Sequence, residues 1–288
     1  MDLQNLDRRI IYALVILVLS IPIITGYTLK PAELKAASRI FDYVDTLTVK
    51  PGQIAFVAFD FGPNTKAENE SQAEVLVEHL MRRRIPFALF SLYAQAQNFM
   101  ESVPKRVAAR LNKEAGSELW KYGSDWVNLG YRAGQDIFVQ SIPKSENLAD
   151  FFKKDTLGNS LSDLPAFKDT KKFEDVIMLA QFTGLVGMLD IYIQYFQKKG
   201  HVPPIMHGCT AITIPEAYNY LDSGQIKGLF EGLAGAAWYS DLLKKRFPER
   251  LPDTAGLMNT SLGIGHLLII ALVILGNLFA YLNYKKNV

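Results

Sequence analysis

The sequence predicts an α/β protein: an open, mostly parallel, five-stranded sheet with helices on both faces, in a three-layer Rossmann-like arrangement. One transmembrane helix is expected at each end of the chain. Three observations predict this. Gln53 to Asp60 is a near-continuous apolar run ending in one carboxylate, the pattern of a strand buried on both faces of a parallel sheet. Strand-like and helix-like segments then alternate about five times, which is the order of an open α/β fold. Two long apolar segments without charge bracket the whole.

The chain has 288 residues, 49% hydrophobic and 21% charged, with a formal net charge of +2. A near-neutral balance argues against nucleic acid as a partner, because backbone binding needs a concentrated basic face. Cys209 is the single cysteine, so no internal disulfide and no cysteine-rich zinc site can form.

The first apolar segment, 10–29, has the ~20 residues that cross a bilayer as a helix. A cleaved signal peptide is the rival reading. Its apolar core is shorter and ends in a small-x-small site, whereas Thr25-Gly26-Tyr27 cleaves poorly. The second segment, 262–282, is interrupted only by His266 and Asn277. Lys285 and Lys286 follow it, and nothing basic lies between Leu251 and Ser261. The excess of Lys and Arg marks the cytoplasmic side, so residues 283–288 are expected there. Arg8 and Arg9 precede the first span while Lys30, Lys35 and Arg39 follow it, so that span alone decides nothing. Two spans put both ends on one side. Residues 1–9 are then cytoplasmic, and the domain at 30–260 is expected outside the cytoplasm. The lipid bilayer is therefore an expected partner.

Residues 31–47 place apolar side chains at helical spacing and read as a juxtamembrane amphipathic helix. Pro51-Gly52 turns the chain into the first strand. Gly62-Pro63 ends that strand, and Thr65 with Glu68 matches the T-x-x-E capping box of a helix start. That helix runs from Lys66 to Arg83. A second strand covers Phe87 to Leu92, and a helix runs from about Ala94 to Lys113. Trp120 to Gly134 has no clean period and reads as a loop. Asp136 to Ile142 reads as the third strand, Ser145 to Lys154 as a polar helix, and Asp175 to Phe182 as the fourth strand. Thr183-Gly184-Leu185-Val186-Gly187 opens an apolar helix. Ile205 to Cys209 is the fifth strand. Pro215 to Arg246 reads as helix, broken near Gly224.

Such folds bind ligands beyond the carboxyl ends of their strands. Asp60, Asn64 and Thr65 stand where a carboxylate meets the free amides of a helix start. With a strand order 3-2-1-4-5, Thr183 and Gly184 wall the same crevice, and His207 ends the neighbouring strand. These six are the candidate ligand-binding residues. The alternative for Asp60 is that it orders its own turn. The chain lacks the G-x-G-x-x-G and G-x-x-x-x-G-K-[ST] phosphate loops, and its four histidines show no metal spacing. No cofactor and no metal are expected. His207 and Cys209 share a strand face, where a buried free cysteine is commonly inert.

Gly224, Gly228, Gly232 and Gly235 recur at spacings of four, four and three, which would share one helix face. Each glycine inside a helix costs about 0.8–1.0 kcal/mol against alanine, so close packing is the expected reason, internal or between subunits. No catalytic set stands out. The favoured expectation is a membrane-anchored scaffold or assembly protein that self-associates or contacts other membrane proteins. The alternatives are an extracytoplasmic small-molecule binding or sensor module, and a membrane-bound hydrolase or transferase.

Overall fold

The computed structural model describes residues 7–287. The first six residues of the expected tail 1–9, and Val288 at the end of 283–288, lie outside the described residues. Two compact units form. One is the α/β unit, Ala32–Pro252, and the other is built from the chain on either side of it.

In the α/β unit the first strand, β1 (Ile54–Asp60), is buried at every residue. It lies between β2 (Phe87–Ser91) and β4 (Val176–Thr183), and the full order is β3-β2-β1-β4-β5-β6, all parallel. The other strands are β3 (Trp126–Tyr131), β5 (Ile205–Cys209) and β6 (Gly228–Glu231). Among the described residues the sheet thus has six strands, not five. The order reverses between β1 and β4, the switch point of a doubly wound sheet.

Alternation along β1 sorts the two faces. Phe56 packs on Phe152 of α6 (Leu148–Phe152) and on Phe196, just past α7 (Met188–Tyr195). Phe59 faces the other way, toward Phe61 and, through it, Phe99 of α4 (Gln97–Ala115). That second side also carries α2 (Lys35–Thr46), α3 (Lys66–Arg82) and α9 (Gly232–Arg246), while α5 (Gln135–Ser141) and α8 (Ile214–Asp222) join the first.

Three expectations are corrected here. Asp136 to Ile142 is helix α5, not a strand. Its apolar run is too short for periodicity to separate the two, and Val139 and Ile142, three apart, are its buried anchors. The true third strand lies inside the segment read as a loop. Gly130 hides it, because its positive φ of 79° sits at a register shift against β2. An added Cβ there would come within 2.9 Å of Thr156. The sixth strand lies within the stretch read as one helix. Gly224 (φ 77°) follows α8, Gly228 begins β6, and Gly232 (φ 57°) begins α9. Gly224, Gly228 and Gly232 therefore mark three separate elements, only Gly232 and Gly235 lie in one helix, and the four do not share a single helix face. Gly228 instead lets α2 cover the edge strand: a Cβ would meet the Ala36 carbonyl at 2.9 Å.

An ion ladder joins α3 to α4 and to the end of the unit. Glu70, Glu74 and Glu78 recur every four residues on one stripe of α3. Arg106 bonds Glu70 and Glu74 at 2.9 and 2.8 Å, and Arg110 bonds Glu74 and Glu78 at 2.5 and 2.7 Å. Arg250 closes on Glu78 with two bonds of 2.9 and 2.5 Å. Burial alone would raise the Glu78 pKa, but Arg250, Arg110 and Arg82 overcome it and hold it at about 2.

The second unit is an antiparallel pair. Its helices are α1 (Arg8–Thr25) and α10 (Ala255–Asn287), with apolar windows of mean hydropathy 2.0 and 2.3. Leu19 meets Gly265, and further along α1's exit Thr28 meets Gly256. Both helices are long and apolar enough to cross a membrane. Ser20 and Thr25 turn their hydroxyls back onto the carbonyls of Ile16 and Ile21 at 2.7 Å, which satisfies them without water.

The ladder yields a test of stability. Arg250→Met removes two charge-assisted bonds from the fully buried Glu78 carboxylate, which keeps Arg82 and Arg110, and should cost roughly 1.5–3 kcal/mol. Arg106 is 44% exposed, so Arg106→Ala should cost within about 1 kcal/mol. Thermal unfolding followed by tryptophan fluorescence separates them. Equal losses would contradict a buried anchor at Arg250.

Candidate functional site

Alternation carries the Asp60 side chain toward α7, at the fully buried end of the strand. Its carboxylate is therefore solvated by the protein. Oδ1 accepts from the Leu92 amide at 2.7 Å and from the Ser91 hydroxyl at 3.3 Å. Oδ2 accepts from the Tyr192 hydroxyl at 2.8 Å and from Gln181 Nε2 at 3.2 Å. Burial raises the Asp60 pKa, and these four donors act against that rise. Four donors fill the usual acceptor capacity of a carboxylate.

Gln181 passes the polarity on. With its amide nitrogen on Asp60, its carbonyl faces His207, whose Nδ1 lies 2.8 Å away. A carbonyl only accepts, so Nδ1 carries the proton and Nε2 holds the lone pair. Burial lowers the His207 pKa to about 4, so the ring is neutral near pH 7. Nε2 has no hydrogen bond among the described residues. His207 lines a cleft with Thr183, Gly187, Thr213, Glu216 and Tyr220, of about 20 Å³. A single water needs about 10–15 Å³, so the cleft is water-sized.

The other side of the crevice is closed by α3. Asn69 Nδ2 bonds the carbonyls of Thr183 and Gly208 at 3.3 and 3.4 Å. One turn on, Gln72 Nε2 bonds those of Cys209 and Gly232 at 2.7 and 2.9 Å. Two side-chain amides thus satisfy the carbonyl ends of β4 and β5 and the start of α9. The absence of a side chain at Gly184 lets Thr65 and Thr210 close over it, where a Cβ would lie 2.9 Å from Thr210 Cγ2.

The capping box expected of Thr65 and Glu68 is absent. Thr65 makes no side-chain cap bond and its buried hydroxyl has no partner. Glu68 instead accepts from the Ala211 amide at 2.9 Å, because the loop after β5 offers a free donor within reach.

The structure therefore brings Asp60, Thr183 and His207 into one network and sets Thr65 against Gly184. Asn64 stands apart, exposed in the turn before α3. Asp60 shares no open pocket with His207, since Gln181 lies between them. Cys209 is buried, and burial raises its pKa to about 12, which keeps it an unreactive thiol. Sequence reasoning missed Gln181, Tyr192, Asn69 and Gln72. Gln181 gave a signal, as a lone amide inside the apolar strand Val176–Thr183; the others gave none that spacing could reveal. A concavity of about 700 Å³ at the opposite end of the sheet is lined by Lys144, Lys172, Glu174 and Lys198 among others. It is an open groove whose charges are partly neutralised by the 2.9 Å Lys198–Glu174 pair.

These features define a doubly wound α/β domain whose switch-point crevice is occupied by its own side chains. Comparison with protein-family models, with curated proteins and with solved structures finds no match to this chain.

The buried imidazoles predict a pH dependence. Burial also lowers His79 to about 4; its Nδ1 bonds the Tyr239 hydroxyl at 2.7 Å. Between pH 6.5 and 4 the unfolded chain binds a proton at each ring that the folded chain does not, so stability falls as pH falls. The full loss is of order 3 kcal/mol per histidine. Melting temperature should drop steadily from pH 7 to 4, and His207→Asn should flatten part of that slope. A constant melting temperature across this range would contradict neutral, buried rings.

Proposed function

We propose that this chain is a membrane-anchored scaffold or assembly protein. In this reading α1 and α10 span the bilayer, both termini are cytoplasmic, and the α/β unit is presented outside the cytoplasm. It works through its surfaces, in contact with copies of itself or with other membrane proteins. One observation carries the reading: the place where a doubly wound sheet takes a ligand is filled by Asp60, Gln181, Asn69, Gln72 and Thr65. The loops leaving that end display apolar side chains instead. Val186 and Ile212 are 75% and 89% exposed, and Tyr131 and Ile137 leave the same end of the sheet. Exposed apolar groups of this kind suit protein contacts.

The orientation rests on Lys285 and Lys286, at the end of α10, and is tested by accessibility. In a Cys209→Ser background, single cysteines replace Asn5, Asn159 and Asn287. An impermeant maleimide on intact cells should label only position 159. Labelling at 5 and 287 instead would put the domain in the cytoplasm, and loss of position 5 from the mature protein would make the first span a cleaved signal peptide. Mass photometry in detergent should show oligomers; a strict monomer would contradict the assembly reading.

A second reading, a small-molecule binding or sensor module, is favoured by the free lone pair of His207 at its cleft. A modest movement of the Thr183–Gly187 turn would widen that cleft to admit a donor-bearing ligand. In a thermal-shift screen of metabolites, a stabilising compound should lose its effect in His207→Asn. Retention of the effect there would place its site elsewhere.

A further inference from the structure

Helix α10 has two faces. One packs on α1. Gly265 lies where an added Cβ would come within 2.8 Å of Leu19, and Thr260 Oγ1 accepts from the Leu29 amide at 2.9 Å. Leu268, Leu272 and Phe279 continue that half-buried stripe. The opposite face, about 150° away at 100° per residue, has a different order. Gly263, Ile270, Asn277 and Tyr284 recur every seven residues, and His266, Val273 and Ala280 each follow three residues after one of the first three. These positions have the a/d spacing of a left-handed coiled coil, with Ile270, Val273 and Ala280 as apolar members and His266 and Asn277 as polar ones.

This seam meets nothing in the pair of helices. Ile270, Val273 and Tyr284 are 54%, 57% and 69% exposed, and His266, Asn277 and Ala280 are exposed beside them. The side chains of His266 and Asn277 have no hydrogen bond among the described residues. In hydrocarbon such groups must find partners. Lipid tails offer none, and α1 lies on the other side.

We propose that α10 pairs in parallel with α10 of a second copy of this chain, along this seam, with Asn277 hydrogen-bonded to its counterpart. The proposal rests on the membrane-spanning reading above. A second copy is the fitting occupant for a geometric reason. Every copy inserts with the same orientation, so a two-fold axis along the membrane normal sets each residue opposite itself, at its own depth. The Asn277 amide carries both donor and acceptor, and an imidazole with one N–H does too, so each side chain can pair with its own counterpart. One rotation satisfies both. A different partner would need polar groups at two matching depths, about 16 Å apart along the helix. A single asparagine at an a position also fixes register and oligomer state.

The test uses the full-length protein in native membranes. In the Cys209→Ser background, oxidation should give a dimer of this chain with Val273→Cys and Ala280→Cys, and none with Leu272→Cys in the half-buried stripe on the α1 side. Equal cross-linking at all three positions, or none at any, overturns the proposal. A cross-linked product at the seam with a different mass overturns the second copy as occupant. In nanodiscs, Asn277→Val should weaken pairing roughly 3- to 30-fold by fluorescence energy transfer, and Asn277→Gln should retain most of it. An unchanged affinity in Asn277→Val also overturns it. If that variant fails to accumulate, the cross-linking series still decides. Impermeant maleimide separates the two readings. Labelling of Val273→Cys in intact cells shows that α10 is outside the bilayer and overturns the spanning reading. Protection without cross-linking overturns the pairing alone.

Discussion

The burial of Asp60 is the constraint to which the α/β unit is fitted. A carboxylate at the end of a strand covered on both faces has no water to stabilise it. It persists because four donors from four different places converge on it: the end of β2, the loop after it, β4 and α7. Each donor fixes the position of the element that supplies it. Gln181 is oriented by the carboxylate and in turn orients His207, so the pattern extends to β5. Thr183 adds a bond back to the Asp60 carbonyl at 2.9 Å. The end of the sheet is thus tied together across β2, β1, β4 and β5 by side chains rather than by a bound ligand.

Helix α3 answers the same constraint from the other side. Its Asn69 and Gln72 amides face the strand ends. Its Glu70, Glu74 and Glu78 face the arginines of α4 and of the segment after α9. His79 is stacked on Phe41 of α2, with ring centroids 4.6 Å apart, and bonded to Tyr239 of α9. A helix with so many polar side chains on buried faces has little amphipathic character, yet nearly all of them are paired. A satisfied polar network specifies one packing, because any shift leaves donors or charges unpaired in low dielectric. The amides that hold α3 down also close the crevice, because they bond the carbonyls at the ends of β4 and β5.

The two helices of the other unit follow a different rule. Several polar side chains within them bond to their own backbone, as Ser20 and Thr25 do, or bond within the pair, as Thr260 does. His266 and Asn277 do neither. Helix α10 is asymmetric: a half-buried stripe through Gly265, Leu268, Leu272 and Phe279 faces α1, and His266 and Asn277 are exposed away from it.

The sequence by itself determined the elements whose burial is uniform or whose length is decisive. β1, β2, β4 and β5 could be read because a run of apolar residues buried on both faces needs no partner to be recognised. The two apolar end segments could be read from length alone, and Asp60 from its place at a strand end. Tertiary structure decided the rest. β6 is short, β3 is interrupted by Gly130 at a register shift, and both become strands only because a neighbouring strand offers a ladder to join. The glycines at 224, 228, 232 and 235 have a helical spacing, but their separate roles depend on φ values and neighbours that spacing does not encode. The partners of Asp60 come from residues up to 132 positions away, and no local pattern carries such pairings. Whether a buried carboxylate holds a ligand or is held by its own protein depends on which side chains reach it, and that is set only when the chain has folded.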